Sequence, residues 1–363
     1  MAKKNIILVV VDCLRADFCF PDAPPFIEHL KNNGESYTQF ISVATSTAPC
    51  FASLLTGLYP ESHGIIGHPK GTKDITPDKY SLRKQVITLP MILKDEKYNT
   101  YAEVCEPLFE AFGLTRGFDC YNLRTQDISI FKPVFFDKLK ELLNNLKVPY
   151  FFMLHLFELH QIIDYEKFEK QCEKLEELLT DIDLKDTIII ITSDHGEGIE
   201  GKMGEEAKHG KHVLNYLVNV PLIIASNGIE KETFTKQYSQ VDFLPILLEK
   251  LEFEKKFPYK LHGSASPRKF TYVQAVGSSI DKKNWLSGIR TQEYTYVIEK
   301  ETEMPLGIFI NKPNEKNSIE PLHDRLMNFI QEAESLNLDI ESEWTKEDKK
   351  RVIERLKVLG YIK

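Results

Sequence analysis

The chain has 363 residues, 42% of them hydrophobic and 28% charged, a composition that excludes a disordered or fibrous protein. Its 46 basic residues against 54 acidic ones leave a formal charge of −8, which excludes a general polyanion binder, so no nucleic acid is expected as a specific partner. Six cysteines without a CxxC pair form no dense disulfide framework at this length, and the expectation is reduced thiols and a cytoplasmic location.

In chain order, Lys3 and Lys4 precede an apolar run, Ile6–Val11, that stops at Asp12. Six residues are too few for a signal sequence or a membrane span, and no later segment has 18 apolar residues in a row, so no membrane partner is expected. Four continuous apolar runs read as buried parallel strands: Asn5–Val11, Tyr150–Leu156, Thr187–Thr192 and Pro221–Ala225. Helical patterns cover Phe26–Asn33, Cys50–Thr56, Leu89–Glu96, Val134–Leu146 and Tyr165–Thr180. This alternation predicts an α/β sandwich with a mostly parallel central sheet. Beyond about residue 251 the pattern changes to charged, Pro-containing turns and strand-like pieces at Phe270–Gln274, Trp285–Thr291 and Tyr294–Ile298. A terminal helix follows at Asp348–Leu359. The expected organisation is a catalytic domain over residues 1–260 and a smaller C-terminal lobe over 261–363.

Acidic or imidazole residues follow three of the strands: Asp12, His160, and the pair Asp194-His195. Parallel sheets bind ligands beyond the carboxyl ends of their strands. Asp12, Asp194 and His195 together offer carboxylate oxygens and one imidazole, a donor set for Mg, Ca or Mn, or for Zn if further imidazoles join. Singly, each would be read as a helix cap or a core residue; their shared position at strand ends favours a metal. The segment Ser46–Gly57 supplies a nucleophile candidate. Pro49 suits a first helical turn and Gly57 a stop, which makes Thr47 the expected N-cap, its hydroxyl at the positive end of the helix beside N–H groups that favour an anion.

With these residues in place, the chain resembles the sulfatase family of the alkaline phosphatase superfamily over nearly its full length. Asn5–Asp17 is similar to the family's first strand with its metal-binding Asp, here Asp12. Ala52-Ser53-Leu54-Leu55-Thr56-Gly57, with Tyr59-Pro60 and His63-Gly64, resembles the segment that follows the family nucleophile. Arg116–Asp119, Ser193–Glu197, Val220–Ile223 and Arg355–Tyr361 resemble further blocks. The resemblance implies an alkaline phosphatase-like three-layer α/β/α sandwich. Family sulfatases carry Cys-x-Pro-x-Arg ahead of the nucleophile segment. Here the aligned residues are Thr47-Ala48-Pro49-Cys50-Phe51, so threonine takes the nucleophile position and Phe51 replaces the arginine. A shifted register would offer Cys50 instead, but it too lacks the arginine and breaks the downstream match.

Without a formylglycine, the resemblance implies the chemistry of the superfamily's phosphodiesterases, phosphonate-cleaving enzymes and phosphoglycerol transferases: attack by a metal-activated Thr47 oxygen on phosphorus. It implies metal ligands Asp12, Thr47, Asp194 and His195, and catalytic residues Thr47, His160 and His209. His160 matches the histidine of the family's Asp-Pro-His block, with Glu158 in place of the Asp, and His209 that of a His-Gly block; both fit a general acid or electrophilic clamp. The cofactor expected is a divalent ion, Zn, Mn, Ca or Mg, one ion rather than a second held by Glu158, His160 and His209. The partner expected is a small anionic ester, and the oligomeric state is left open. Cys13 stands where many sulfatases have a second Asp, and the family's Gly-Lys-Trp-His block is not recognisable near Cys105–Phe112. His155 and Arg290 read as buried structure and Arg15-Asp17 as a local ion pair. Lys202, Lys208, Lys211 and His212 read as solvated charge around the Glu200–His212 loop.

Overall fold

The structure is a computed structural model that describes residues 3–67, 77–105, 107–108, 110–125, 129–161, 163–199, 208–276, 285–300, 302–310, 320–336, 338–339 and 344–358. Lys202 and the end of the Arg355–Tyr361 block fall outside the described residues. Its first strands in chain order are β1 (Asn5–Val11), β2 (Gly34–Ile41), β3 (Asn99–Cys105), β4 (Cys120–Arg124) and β5 (Tyr150–Leu156). They are followed by β6 (Thr187–Thr192), β7 (Asn219–Ala225), β8 (Glu232–Phe234) and β9 (Tyr238–Ser239). These form one sheet in the order β4-β3-β5-β1-β6-β7-β2-β8, with β9 also paired to β2. From β4 to β6 every pairing is parallel, while β7 runs antiparallel to both β6 and β2.

The alternation of side chains along β1 separates two cores, as the pleat requires. Ile6, Leu8 and Val10 pack with the helices Thr47–Thr56, Leu89–Asp95 and Phe243–Lys250. Ile7, Val9 and Val11 pack with Pro25–Asn32, Pro133–Asn144 and Tyr165–Leu179. A strand buried on both faces must be apolar throughout, and this is why β1, β5 and β6 are legible as continuous runs. The result is the expected α/β/α sandwich. Strands β2, β3 and β4 escape sequence reading because polar side chains such as Glu35, Gln39, Glu103 and Asn122 interrupt them where helices cover the sheet less completely.

A second, antiparallel sheet contains β10 (Thr271–Val276), β11 (Trp285–Arg290), β12 (Tyr294–Glu299) and β13 (Pro305–Ile310), in that order. The helix Glu320–Glu334 packs on it through Leu322, Leu326 and Ile330. This small sheet also braces the large one: Gln274 N–H donates to Val43 O at 2.9 Å and Thr45 N–H donates to Gln274 O at 3.1 Å. Arg290, fully buried and hydrogen-bonded to Gln237, Gln39 and Asn215, joins the two sheets as structure. Among the described residues no helix is long and apolar enough to cross a membrane, and all six cysteines are free thiols.

Near the helix Thr47–Thr56, the buried His63 and the half-buried His262 accept backbone N–H bonds, His63 Nδ1 from Ile65 and His262 Nδ1 from Tyr59, both at 3.1 Å. Burial pushes His63 down to about 3 and His262 down to about 4. Below the ordinary value of 6.5 the unfolded chain therefore binds more protons than the folded one, and stability falls as pH drops toward the folded values. Above 6.5 the two contribute no slope. Thermal unfolding followed from pH 7 to pH 4 should show a declining Tm, and the double variant His63→Gln/His262→Gln should show a shallower decline. Equal slopes would contradict this.

Candidate active site

The register of the central strands builds the site. Val10 lies opposite Thr192, so Asp12 and Asp194, each two residues further on, reach the same level beyond adjacent strand ends. Asp12 N–H continues the ladder to Leu156 O at 2.8 Å. The chain then turns sharply: Cys13 has φ 63°, a left-handed conformation uncommon for a residue with a side chain. Two bonds from the end of β6 hold that turn, Cys13 N–H to Asp194 Oδ1 at 3.2 Å and Leu14 N–H to Ser193 Oγ at 3.0 Å.

Thr47 opens the fully buried helix Thr47–Thr56, which ends at Gly57 with φ 67° as expected. The N-cap is Ser46, extended at φ −158°, and the expectation for Thr47 is corrected by one residue. At the first helical position a hydroxyl does not cap the helix, so it is directed elsewhere. Thr47 Oγ1 lies 3.4 Å from Asp12 Oδ2 and 3.4 Å from His195 Nε2. Cys50, which a shifted register would offer, is fully buried, its thiol donates to Ala44 O at 3.1 Å, and burial holds its pKa well above the ordinary range.

Asp12, Asp194 and His195 are fully buried, and one ligand atom from each lies within 4.8 Å of the others. Asp194 Oδ1 accepts from Cys13 N–H and from His195 N–H at 2.8 Å, while Asp194 Oδ2 has no hydrogen-bond donor. His195 Nδ1 faces Gly196 O at 3.0 Å; a carbonyl only accepts, so Nδ1 carries the proton and Nε2 presents a lone pair toward Asp194 Oδ2, 3.4 Å away. The electrostatics report surplus negative charge among these groups. Burial and the charge of Asp12 raise the pKa of Asp194. Burial also opposes the charged form of Asp12, but the His155 hydrogen bond and the neighbouring imidazoles outweigh it and hold that carboxyl below the usual range. Burial disfavours an imidazolium at His195, and the Asp194 and Asp12 charges overcome this and raise its pKa. Buried carboxylates beside an orphaned oxygen and a lone-pair nitrogen fit a divalent cation, which relieves the repulsion between them.

His155 does more than fill the core, as the sequence had suggested. It sits in β5 opposite Val10, and its Nδ1 accepts Cys105 N–H at 3.3 Å, which leaves Nε2–H to donate to Asp12 Oδ2 at 3.2 Å. Phe51, the arginine's replacement, meets the His155 ring edge to face at 4.8 Å. Gln240, which nothing in the sequence singled out, donates from Nε2 to Ser193 O at 3.0 Å and Asp194 O at 2.5 Å, and accepts Val43 N–H at 3.1 Å. It thereby ties the Asp194 turn to the segment leading into Thr47.

His160 and His209 flank this centre. The His209 ring lies 4.9 Å from that of His195 and 5.2 Å from that of His160. His160 stacks on Phe157 at 4.2 Å, its buried Nε2 has no hydrogen-bond partner, and burial with the nearby His209 and His195 pushes its pKa down to about 4. Glu158 does not join them. Its two oxygens accept from Ile130 N–H at 2.5 Å and Gln171 Nε2 at 2.8 Å, so a second ion held by Glu158, His160 and His209 is not supported by the geometry. Arg15 is paired with Asp17 at 2.6 Å as expected, and Lys208 and Lys211 are exposed.

The protein thus has a parallel-sheet enzyme architecture with a buried two-carboxylate, one-imidazole centre at the strand ends. Residues 6–104 match the profile of the Type I phosphodiesterase / nucleotide pyrophosphatase family, and residues 172–252 match the Sulfatase profile. Asp12 and Thr47 lie in the first stretch, and Asp194, His195 and His209 in the second. No curated protein matches the chain in sequence. Among solved structures, it is similar to the phosphonate monoester hydrolase of Agrobacterium radiobacter, at 14% identity and TM-score 0.63 over 92% of this chain and 95% of that one. It is also similar to a protein in the alkaline phosphatase superfamily from Vibrio parahaemolyticus, at 17% identity and TM-score 0.63 over 92% and 86%. A third similar structure is BT4656, solved in complex with its substrate D-glucosamine-2-N,6-O-disulfate, at 16% identity and TM-score 0.68 over 94% and 100%. The chain has the alkaline phosphatase-superfamily fold, and its sequence resemblance is to the sulfatase and phosphodiesterase members.

Removal of His155 takes from Asp12 Oδ2 the shorter of its two buried hydrogen bonds, 3.2 Å against 3.4 Å from Thr47. Loss of such a partner to a metal ligand costs roughly 10–100-fold in affinity. Competition titration of His155→Ala against a chromogenic chelator should register a loss in that range, with His155→Gln in between.

Proposed function

We propose that the protein is a metal-dependent hydrolase that cleaves phosphate esters or phosphonate esters through Thr47. The observation that carries this reading is the position of the Thr47 hydroxyl, 3.4 Å from Asp12 Oδ2 and from His195 Nε2, in a buried cage that also presents the donor-less Asp194 Oδ2. Asp12, Thr47, Asp194 and His195 would hold one divalent ion, which when bound supplies Lewis-acid stabilisation of negative charge on the threonine oxygen and on a non-bridging oxygen of the ester.

The chain's own groups do the rest. Thr47 directs its hydrogen toward Asp12 Oδ2 and keeps a lone pair for attack on phosphorus. Helix N–H groups at Thr47 favour the anionic ester. His160, neutral at pH 7 because its pKa is pushed down to about 4, acts as a hydrogen-bonding clamp rather than a proton donor. His209 stands as the acid for the leaving oxygen. The ester binds as a small anion, and release of the phospho-threonine to water completes hydrolysis. Phosphate over sulfate is favoured by the absence of a cysteine at position 47 that could become formylglycine, and by Phe51 in place of the arginine.

The test compares turnover of aryl phosphodiester, phosphomonoester, phosphonate and sulfate substrates across Mn, Zn, Mg and Ca. Thr47→Ala should lower turnover of the preferred phosphorus ester by at least about 1,000-fold, Thr47→Ser should retain part of it, and chelation should abolish activity that a divalent salt restores. Unchanged activity in metal-loaded Thr47→Ala, or preference for the sulfate, would refute the reading.

A further inference from the structure

The Ser193–Glu197 turn carries one acidic residue with no place in the metal cage. Glu197 follows His195 by two positions, yet its carboxylate is directed away from the cation ligands and toward His209, twelve residues later. Glu197 Oε1 accepts His209 N–H at 2.9 Å and Gly198 N–H at 2.8 Å, while Oε2 is hydrogen-bonded to His209 Nδ1. Both side chains are largely buried, at 11% and 21% exposure, so solvent does not compete strongly for these bonds. A carboxylate only accepts, and so His209 Nδ1 carries the proton. The free ring nitrogen is then Nε2, on a ring packed against those of His195 and His160. The backbone beyond is fixed as well, because Gly210 N–H donates to Thr45 Oγ1 at 3.0 Å, two residues before the nucleophile.

We propose that Glu197 is a positioning residue for the leaving-group side of the reaction: it locks His209 in the Nδ1–H form and presents Nε2 to the departing ester oxygen. This deepens the proposed function and rests on it. As the Thr47 oxygen gives up its proton to water and bonds to phosphorus, the bond from phosphorus to the leaving oxygen breaks, its electron pair stays on that oxygen, and the oxygen takes the second proton of the doubly protonated His209 ring from Nε2, which leaves the Nδ1–H form held by Glu197. In the second half the attacking water gives one proton to Nε2 and its oxygen bonds to phosphorus, while the electron pair of the phosphorus–Thr47 bond returns to the threonine oxygen, which takes back a proton from water. Glu197 touches neither substrate nor cation; its effect passes through His209.

The experiment uses Glu197→Ala, Glu197→Gln and His209→Ala with two aryl phosphodiesters, one carrying 4-nitrophenol and one phenol as leaving group. The ring nitrogens of His209 are read by 15N NMR, and bound metal is measured in every variant. Proton donation is worth roughly 100-fold or more where the leaving group is poor, and little where it is good. Glu197→Ala should therefore lose about 100-fold on the phenyl ester and under about fivefold on the nitrophenyl ester, at unchanged metal content. Glu197→Gln, which retains an acceptor for Nδ1–H, should keep most of both activities. Changes at Glu197 should cost nothing further in the His209→Ala background. The nitrogen spectrum should show the Nδ1–H form in the wild type and its loss in Glu197→Ala. Equal losses on the two esters, or an Nδ1 that carries no proton in the wild type, would overturn the inference. If the wild type turns over neither ester, the functional reading fails on its own, and the nitrogen spectrum still decides whether Glu197 sets the ring.

Discussion

Two carboxylates that repel each other at the centre of a dry sheet are the constraint around which this protein is organised. Asp12 and Asp194 sit level beyond neighbouring strands and are fully excluded from water. Left alone, such a pair destabilises the fold, and the surrounding groups answer that cost. Backbone N–H groups satisfy Asp194 Oδ1, the Cys13 thiol donates to Asp12 Oδ1 at 2.8 Å, and His155 donates to Asp12 Oδ2. One oxygen, Asp194 Oδ2, is left over and opposes the lone pair of His195. A divalent cation would complete this charge balance.

The substitution of Cys13 for a second aspartate fits the same arithmetic. Burial and the Asp12, Asp194 and Glu197 charges raise the Cys13 pKa well above its ordinary value, so the thiol stays protonated and serves as a donor to Asp12. A third carboxylate in its place would add to the repulsion. The site therefore carries less negative charge than a cage with two adjacent aspartates, which matches one ion better than two. Phe51 continues the exchange of charge for packing, because it covers the edge of His155 where the resembling enzymes carry an arginine.

The segment before Thr47 is held from three directions. Gln240 joins the Asp194 turn to Val43, β10 of the small sheet hydrogen-bonds to Val43 and Thr45, and Gly210 beside His209 reaches Thr45. The short segment before Thr47 is thus held by the Asp194 turn, the strand β10 and the His209-Gly210 backbone together. A segment pinned in this way keeps the Thr47 hydroxyl in place without a rigid element of its own.

The sequence by itself determined four buried strands of the large sheet, β1, β5, β6 and β7, because a strand covered by helices on both sides must be apolar from end to end, but its expectation that β7 is parallel is corrected by the antiparallel pairing with β6 and β2. It also determined Asp12, His160, Asp194 and His195 as strand-end residues and Thr47 as a helix-start hydroxyl, and the resemblance supplied His209 and the roles expected of Thr47 and His160. The cap at Ser46, the antiparallel β7, and the tasks of His155, Gln240 and Glu197 were decided only by the tertiary structure. Each of these depends on which strand lies beside which and at what register, as when β5 brings His155 level with Val10 next to Asp12. Local pattern records whether a residue is buried and on what element. The hydrogen bond from His155 to Asp12 spans 143 residues, and the order of the strands that creates it is set by packing of the whole sheet.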